Sequence, residues 1–495
     1  MIKNLCILAS FFIINLNYIL SQNETDALRY TQTDLFGSAR FESMAGSFGA
    51  LGADFSAIQI NPGGMGRFSS SQFSIALNNN VINTTGIYND VEGTASENSF
   101  KPSAIGVVFT NDASSENKGK VFRQFSLGYT RSTNFDQTKY YEGQNFNSLL
   151  DVFANDGAGI PLENNQIFNE RRFTTGLGLD TETIFYDSEN ITYYPNLTSG
   201  DMYHERTIKT SGGISEYHIG LSENYMNQLY YGGSIGIRRI NYEENIMHTE
   251  TLLEPEGVSL NSFNYMFNLS TKGWGYNLKL GLIYLPKEDL RLGFSFESPS
   301  IINLTDEYNA NMIGYHEFGT APVPQQFIPR GEFGYRLRTP MKIRGSLAYI
   351  FDNRGSINFD LEFVNYPGAR LRAAPSGMYG SYAFEFENME IRNQYRPVFN
   401  LRIGTEYLIS KEIFLRGGFA LLPQPFSSEI ENISEINKTF AVGIGWERNN
   451  IMVDLSYRAV NINTDYFAFD PSQEANRTLF RTWSNIFTLS TSFRF

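Results

Sequence analysis

Residues 276–299 read YNLKLGLIYLPKEDLRLGFSFESP. Leu278, Leu280, Leu282 and Tyr284 alternate with Asn277, Lys279, Gly281 and Ile283. After Pro286–Asp289, Leu290, Leu292, Phe294 and Phe296 alternate with Arg291, Gly293, Ser295 and Glu297. A period of two places alternate side chains on opposite faces of a strand. Proline followed by charged residues between two such runs marks a tight turn. The stretch therefore predicts an antiparallel hairpin with one apolar face. Its other face mixes glycine with isolated charges, which suits neither a dry core nor a fully solvated surface.

The pattern recurs along the chain. Upstream, Phe73, Ile75 and Leu77 share a face, and 103–110, 121–130 and 229–238 read as strands. Downstream it returns at 342–349, 401–407, 413–419, 451–458 and 485–495. Strands of about 8–12 residues with one apolar face suit a closed barrel in lipid, where every backbone group must be paired within the protein. Connections fall into two lengths. Pro286–Asp289, Asp352–Gly355, Ile409–Glu412 and Arg448–Asn450 are short, whereas 131–172, 243–262, 300–331, 366–395 and 461–484 are long and polar. Short turns at one rim and long loops at the other are the expected barrel arrangement. The last stretch, NIFTLSTSFRF (485–495), carries Phe487, Leu489, Thr491, Phe493 and Phe495 on one face and is expected to close the sheet against the first strand.

Composition agrees. Aromatic residues make up 15% and charged residues 18% of 495, an unusual pairing for a soluble protein but ordinary for a barrel with aromatic girdles. The formal charge of −13 argues against a nucleic-acid partner. The single cysteine, Cys6, lies in MIKNLCILASFFIINLNYILS (1–21), which reads as an export signal with Lys3 at its charged end. The expected organisation is a signal at 1–21, a hatch at 22–70 and a barrel at 71–495. The fold class is all-β: a transmembrane antiparallel β-barrel with a small N-terminal hatch in its lumen.

Residues 36–68 supply the hatch. Met44, Phe48, Leu51, Phe55 and Ile58 recur at three- and four-residue spacing, among many small residues. Asp54 is placed to cap a short helical turn, and Asn61-Pro62-Gly63-Gly64 to end it. Asp54 can equally pair with an inward arginine such as Arg344, Arg402 or Arg458. Those arginines would also suit a carboxylate ligand, or be solvated or paired lumen charges. In the long insert 131–172, Phe146, Leu149, Leu150 and Phe153 form either an external capture surface or internal loop packing. No motif for hydrolysis or phosphate binding stands out. His204, His218, His248 and His316 lie in separate segments without metal-ligand spacing, so no metal, cofactor or catalytic residue is expected.

The segment GSARFESMAGSFGALGADFSAIQINPGGMG (37–66) resembles the hatch of the FadL-type outer-membrane transport proteins, the OMPP1/FadL/TodX family. Asp54, Ser56-Ala57, Asn61-Pro62, Gly63-Gly64 and Met65 carry the match. The hairpins at 276–299 and 400–426 are similar to the family's hairpin pairs. The resemblance implies about 14 strands, a plugged periplasmic side, and passive uptake of long-chain fatty acids or aromatic hydrocarbons with sideways release through the wall. It implies Asp54, Ser56, Asn61, Pro62, Gly63, Gly64 and Met65 as hatch and ligand residues. The terminal Phe495 looks like the signal read by the barrel-assembly machinery. Expected partners are a hydrophobic small molecule or lipid and outer-membrane lipid, around a monomer in the outer membrane of a Gram-negative bacterium. The sequence departs from the family where Asn-Pro-Gly-Gly replaces Asn-Pro-Ala. Two other readings stay open here, a docking or shuttle component for protein export and an outer-membrane lipolytic enzyme.

Overall fold

The computed structural model describes residues 24–114, 119–197, 202–253, 259–352, 354–374, 382–427, 436–469 and 474–495. The expected signal, 1–21, lies outside them.

Fourteen barrel staves run antiparallel in chain order. They are β1 (Gln72–Tyr88), β2 (Val91–Asp112), β3 (Lys120–Asn134, continued by Gln137–Asn145), β4 (Met202–Tyr225) and β5 (Leu229–Leu252). Next come β6 (Leu260–Tyr284), β7 (Leu290–Glu297 and Ile301–His316), β8 (Gly319–Pro322, Arg330–Arg338 and Lys342–Phe351) and β9 (Gly355–Val364 and Arg370–Ala373). The last five are β10 (Val398–Leu408), β11 (Ile413–Pro423), β12 (Ile436–Arg448), β13 (Ile451–Phe467) and β14 (Arg477–Arg494). β14 pairs with β1 from Gln72↔Arg494 to Tyr88↔Thr478, which closes the barrel. The predicted strand number and closing strand both hold.

The outward face of each stave is apolar and exposed: Leu278, Leu280 and Leu282 on β6, Ile403 on β10, Val442 and Ile444 on β12. Aromatic side chains bound this band. Tyr284, Tyr349, Tyr407, Trp446 and Phe495 stand at the short-turn end, and Tyr217, Trp274, Tyr276, Phe399 and Trp483 at the other, all exposed. A lipid-facing belt between two aromatic girdles follows from amphipathic rings preferring the headgroup level.

The expected strand ends were too early. β4, β5 and β6 run 24, 24 and 25 residues, well beyond the roughly 9–11 that cross a bilayer. Most of 243–262, 300–331 and 461–484, read as loops, is strand. Above the lipid the ladder continues while the outer face turns polar, so alternation fades although pairing does not.

Residues 24–71 lie inside this wall. Helix α1 (Glu24–Arg29) buries Ala27 and Leu28 in a separate cluster with wall residues, whereas helix α2 (Ala39–Ser43) and the 3₁₀ turns Phe55–Gln59 and Pro62–Arg67 pack around one core. That core contains Met44, Phe48, Leu51, Phe55 and Ile58, the five residues of the sequence stripe, together with Met65. The wall yields space where the plug touches it. A side chain on Gly106 or Gly128 would meet Phe55, and one on Gly404 or Gly418 would meet Met44. These inward glycines explain the small-residue face seen in the sequence. At the long-loop end, helix α3 (Leu149–Gly157), helix α4 (Gln166–Glu170) and helix α5 (Thr175–Asp180) form a cap with its own apolar core. Helix α6 (Glu385–Gln394) packs against α1.

Candidate functional site

A partly open cavity of about 1050 Å³ lies between the plug and the cap. Leu35, Phe36 and Ala45 of the plug line it from below, and Leu149, Phe153 and Phe469 from the cap side. Ile208, Ile246, Phe267, Ile462 and Ile486 project into it from the staves. The lining is largely apolar, yet charged groups of both signs reach it, among them Arg206, Arg402 and Arg458 and the carboxylates of Asp34, Glu244 and Asp465.

The arginines differ in how far they are satisfied. Arg344 is held away from the cavity by Glu362 and, at 3.6 Å, by Glu297. Arg402 lies 3.5 Å from Glu362. Arg458 donates to the Asp34 carbonyl at 2.8 Å, lies 3.5 Å from Glu42 and sits 4.9 Å above the Phe36 ring. Its Nη2 is buried without a hydrogen-bond partner among the described residues, as are Nε and Nη1 of Arg206. Buried donors left open beside an apolar cavity can accept an anionic group. Sequence reasoning named Arg344, Arg402 and Arg458 from strand parity, but missed Arg206, whose stave segment carries no apolar alternation.

The hatch residues sit elsewhere. Asp54 accepts from Ser38 Oγ at 2.6 Å and from the Ser56 amide at 2.8 Å, so it caps the first 3₁₀ turn. It pairs with none of Arg344, Arg402 and Arg458, whose carboxylate partners are Glu297, Glu362 and Glu42. Asn61 accepts from the Gly63 amide at 3.0 Å and donates to the carbonyls of Gly49 (2.6 Å) and Leu282 (3.0 Å). Asn61 thus ties the Asn-Pro-Gly-Gly turn to β6. Asp54, Ser56, Asn61, Pro62, Gly63, Gly64 and Met65 are buried between plug and wall. None of them lines the cavity, whereas Leu28, Gln32, Asp34, Leu35, Phe36 and Ala45 of the plug do.

Of the two readings of Phe146, Leu149, Leu150 and Phe153, internal packing fits three of the four. Phe146 is exposed, while Leu149, Leu150 and Phe153 are buried. Ser148 caps α3 through a capping box with Asp151 and turns the apolar face of the helix inward. Leu149 and Phe153 therefore face the cavity rather than the outside.

Beside the cavity the wall has a break. β2 pairs with β3 only from Asp112↔Phe122 to Ala104↔Thr130. Beyond Phe135 and Asp136, the second half of β3 pairs with β4, and the upper half of β2 pairs with β1. Side chains bridge the seam: Asn134 to Ser99 (3.3 Å), Thr138 to Glu97 (2.8 Å), and Lys101 to Asp136. The plug segment 34–37 is fastened to both margins. The Asp34 amide donates to the Ser132 carbonyl at 2.8 Å, and Ser103 Oγ donates to the Gly37 carbonyl at 2.7 Å. Asn134, Phe135 and Asp136 also line the cavity.

No nucleophile stands in a hydrolytic arrangement among the described residues of this site. Ser148 Oγ donates to the Glu250 carboxylate at 2.5 Å rather than to an imidazole, and caps α3.

A closed 14-stave barrel with an apolar belt, an internal plug and a greasy cavity defines a plugged membrane channel. The chain belongs to the outer membrane protein transport protein family (OMPP1/FadL/TodX), whose model matches residues 240–495, just over half its length. The toluene transporter TodX of P. putida superposes with a TM-score of 0.56 at 13% identity, covering 93% of this chain and 99% of that one. A Pseudomonas aeruginosa FadL homologue gives 0.55 at 12% identity, covering 94% and 99%. The CymD monoaromatic hydrocarbon channel gives 0.51 at 10%, covering 94% and 99%. At these identities the likeness is one of fold. No curated protein matches the sequence.

Proposed function

We propose that this protein conducts hydrophobic compounds across the outer membrane, with the plug governing release sideways through the β2–β3 seam. The observation that carries the reading is the cavity of about 1050 Å³ that lies between plug and cap and borders that seam. An apolar ligand gains roughly 25 cal/mol for each Å² of apolar surface withdrawn from water, so such a chamber captures it without an energy source. The named relatives include a toluene transporter and a monoaromatic hydrocarbon channel. Here the open donors of Arg206 and Arg458 favour a long-chain carboxylate over a neutral hydrocarbon.

Uptake of a labelled long-chain fatty acid and of toluene by cells making the protein tests the reading. Faster uptake of the fatty acid than by cells lacking the protein supports it. Equal uptake of both compounds with and without the protein, at verified surface abundance, overturns it.

A further inference from the structure

We propose that His204, His248 and Glu250 form a site for a zinc-class divalent ion that ties the outer cap to the barrel wall. The three residues come from two strand segments more than forty residues apart but share the inner face of two neighbouring staves. His204 on β4 stands directly across from Glu250 on β5, and His248 precedes Glu250 by one pleat. One ligand atom from each lies within 4.8 Å of the other two, and all three side chains are fully buried.

The hydrogen bonds leave the cluster incomplete. His248 Nε2 lies 2.8 Å from Glu250 Oε1, and His204 Nε2 lies 3.8 Å from the same oxygen. His204 Nε2 has no hydrogen-bond partner among the described residues. A buried ring nitrogen aimed at a carboxylate and a second imidazole is unsatisfied in either tautomer, and an ion between the three would satisfy it. Donor atoms on a tetrahedral zinc stand roughly 3.3 Å apart, given bond lengths near 2.0 Å. The two spacings to Glu250, 2.8 and 3.8 Å, bracket that value, and the third, between the imidazoles, is within 4.8 Å.

The surrounding groups orient the ligands. Tyr88 Oη lies 3.3 Å from His204 Nδ1 and receives Asn145 Nδ2 at 2.5 Å. Glu250 Oε2 accepts from Ser148 Oγ, and Oε1 accepts from the Leu149 amide at 2.8 Å. Glu250 thus joins the cluster to the first turn of α3. Outer groups that fix ring and carboxylate orientation are the usual support of a metal site. Two imidazoles and one carboxylate suit zinc, and leave a fourth position for water or a ligand group. Phe469, part of the cavity lining, packs against both imidazoles at 6.1 and 6.4 Å between centroids. Arg206 is the charged neighbour on the same face and lies over the Tyr466 ring at 5.7 Å. With Arg206 offsetting Glu250, binding would come from coordination rather than from a negative field.

The test uses the full-length protein, purified in detergent without a histidine tag, loaded with Zn²⁺ and dialysed. Metal analysis is expected to find about one zinc per chain in the wild type and in His316→Ala, and at least about tenfold less in His204→Gln and His248→Gln. Unboiled electrophoretic mobility reports whether each variant is a folded barrel. Zinc is also expected to slow amide exchange across 149–157 in the wild type alone. No retained zinc in the wild type, or equal retention in the folded glutamine variants, overturns the site. Retained zinc without slower exchange in α3 overturns the tie. Should the variants fail to fold, Co²⁺ in the wild type decides, and the absence of a tetrahedral nitrogen/oxygen ligand-field spectrum overturns the proposal.

Discussion

Gly281 and Asn61 show how tightly single residues set this structure. Asn61 Oδ1 lies where a side chain on Gly281 would have to go. Gly281→Ala is therefore expected to displace the Asn-Pro-Gly-Gly turn and cost about 1–3 kcal/mol, read from the denaturation midpoint of the detergent-solubilised barrel. Gly345 provides the contrast, since a Cβ there would meet nothing within 4 Å, and Gly345→Ala is expected to stay within about 0.5 kcal/mol of the parent. Arg458 poses a different problem, since removing it strands the buried Glu42 carboxylate. Arg458→Gln alone is expected to cost about 3–5 kcal/mol. The double variant Glu42→Gln/Arg458→Gln should recover most of that loss yet bind a fatty acid about tenfold more weakly, as titration with a fluorescent analogue would measure. The sequence placed Arg344, Arg402 and Arg458 on the inner face by parity alone. Their carboxylate partners were not legible, because Glu362 and Glu42 meet them through strand register and plug position. The convergence of His204 with His248 and Glu250 was hidden for the same reason.

At the level of elements, the membrane-crossing part of each strand was legible because lipid demands an apolar outer face. The extramembrane part was not, because there only the hydrogen-bond ladder persists. The inward helix α3 was visible as FNSLLDVF, but its direction depends on Ser148 and Glu250 fixing its first turn. Loss of the cap in Ser148→Ala is expected to destabilise α3 by about 1 kcal/mol, visible as faster amide exchange in 149–157 with the barrel staves unchanged. The seam makes a sharper prediction. Ser99 and Asn134 face each other across it, so the pair Ser99→Cys/Asn134→Cys should form a disulfide across the break. Uptake of the fatty acid is expected to fall in the oxidised protein and to recover on reduction, measured in the same cells. Unchanged uptake with the crosslink fully formed would remove the seam from the path.

Over the whole molecule, plug, wall and closing strand are one hydrogen-bonded object. The Ala39 amide donates to Ser490 Oγ at 3.0 Å, and Thr488 Oγ1 donates to Glu42 at 3.1 Å. Both partners belong to β14, the strand that completes the barrel against β1. The last strand of the chain therefore carries groups that grip its first folded segment, so closing the wall and fastening the plug draw on the same strand.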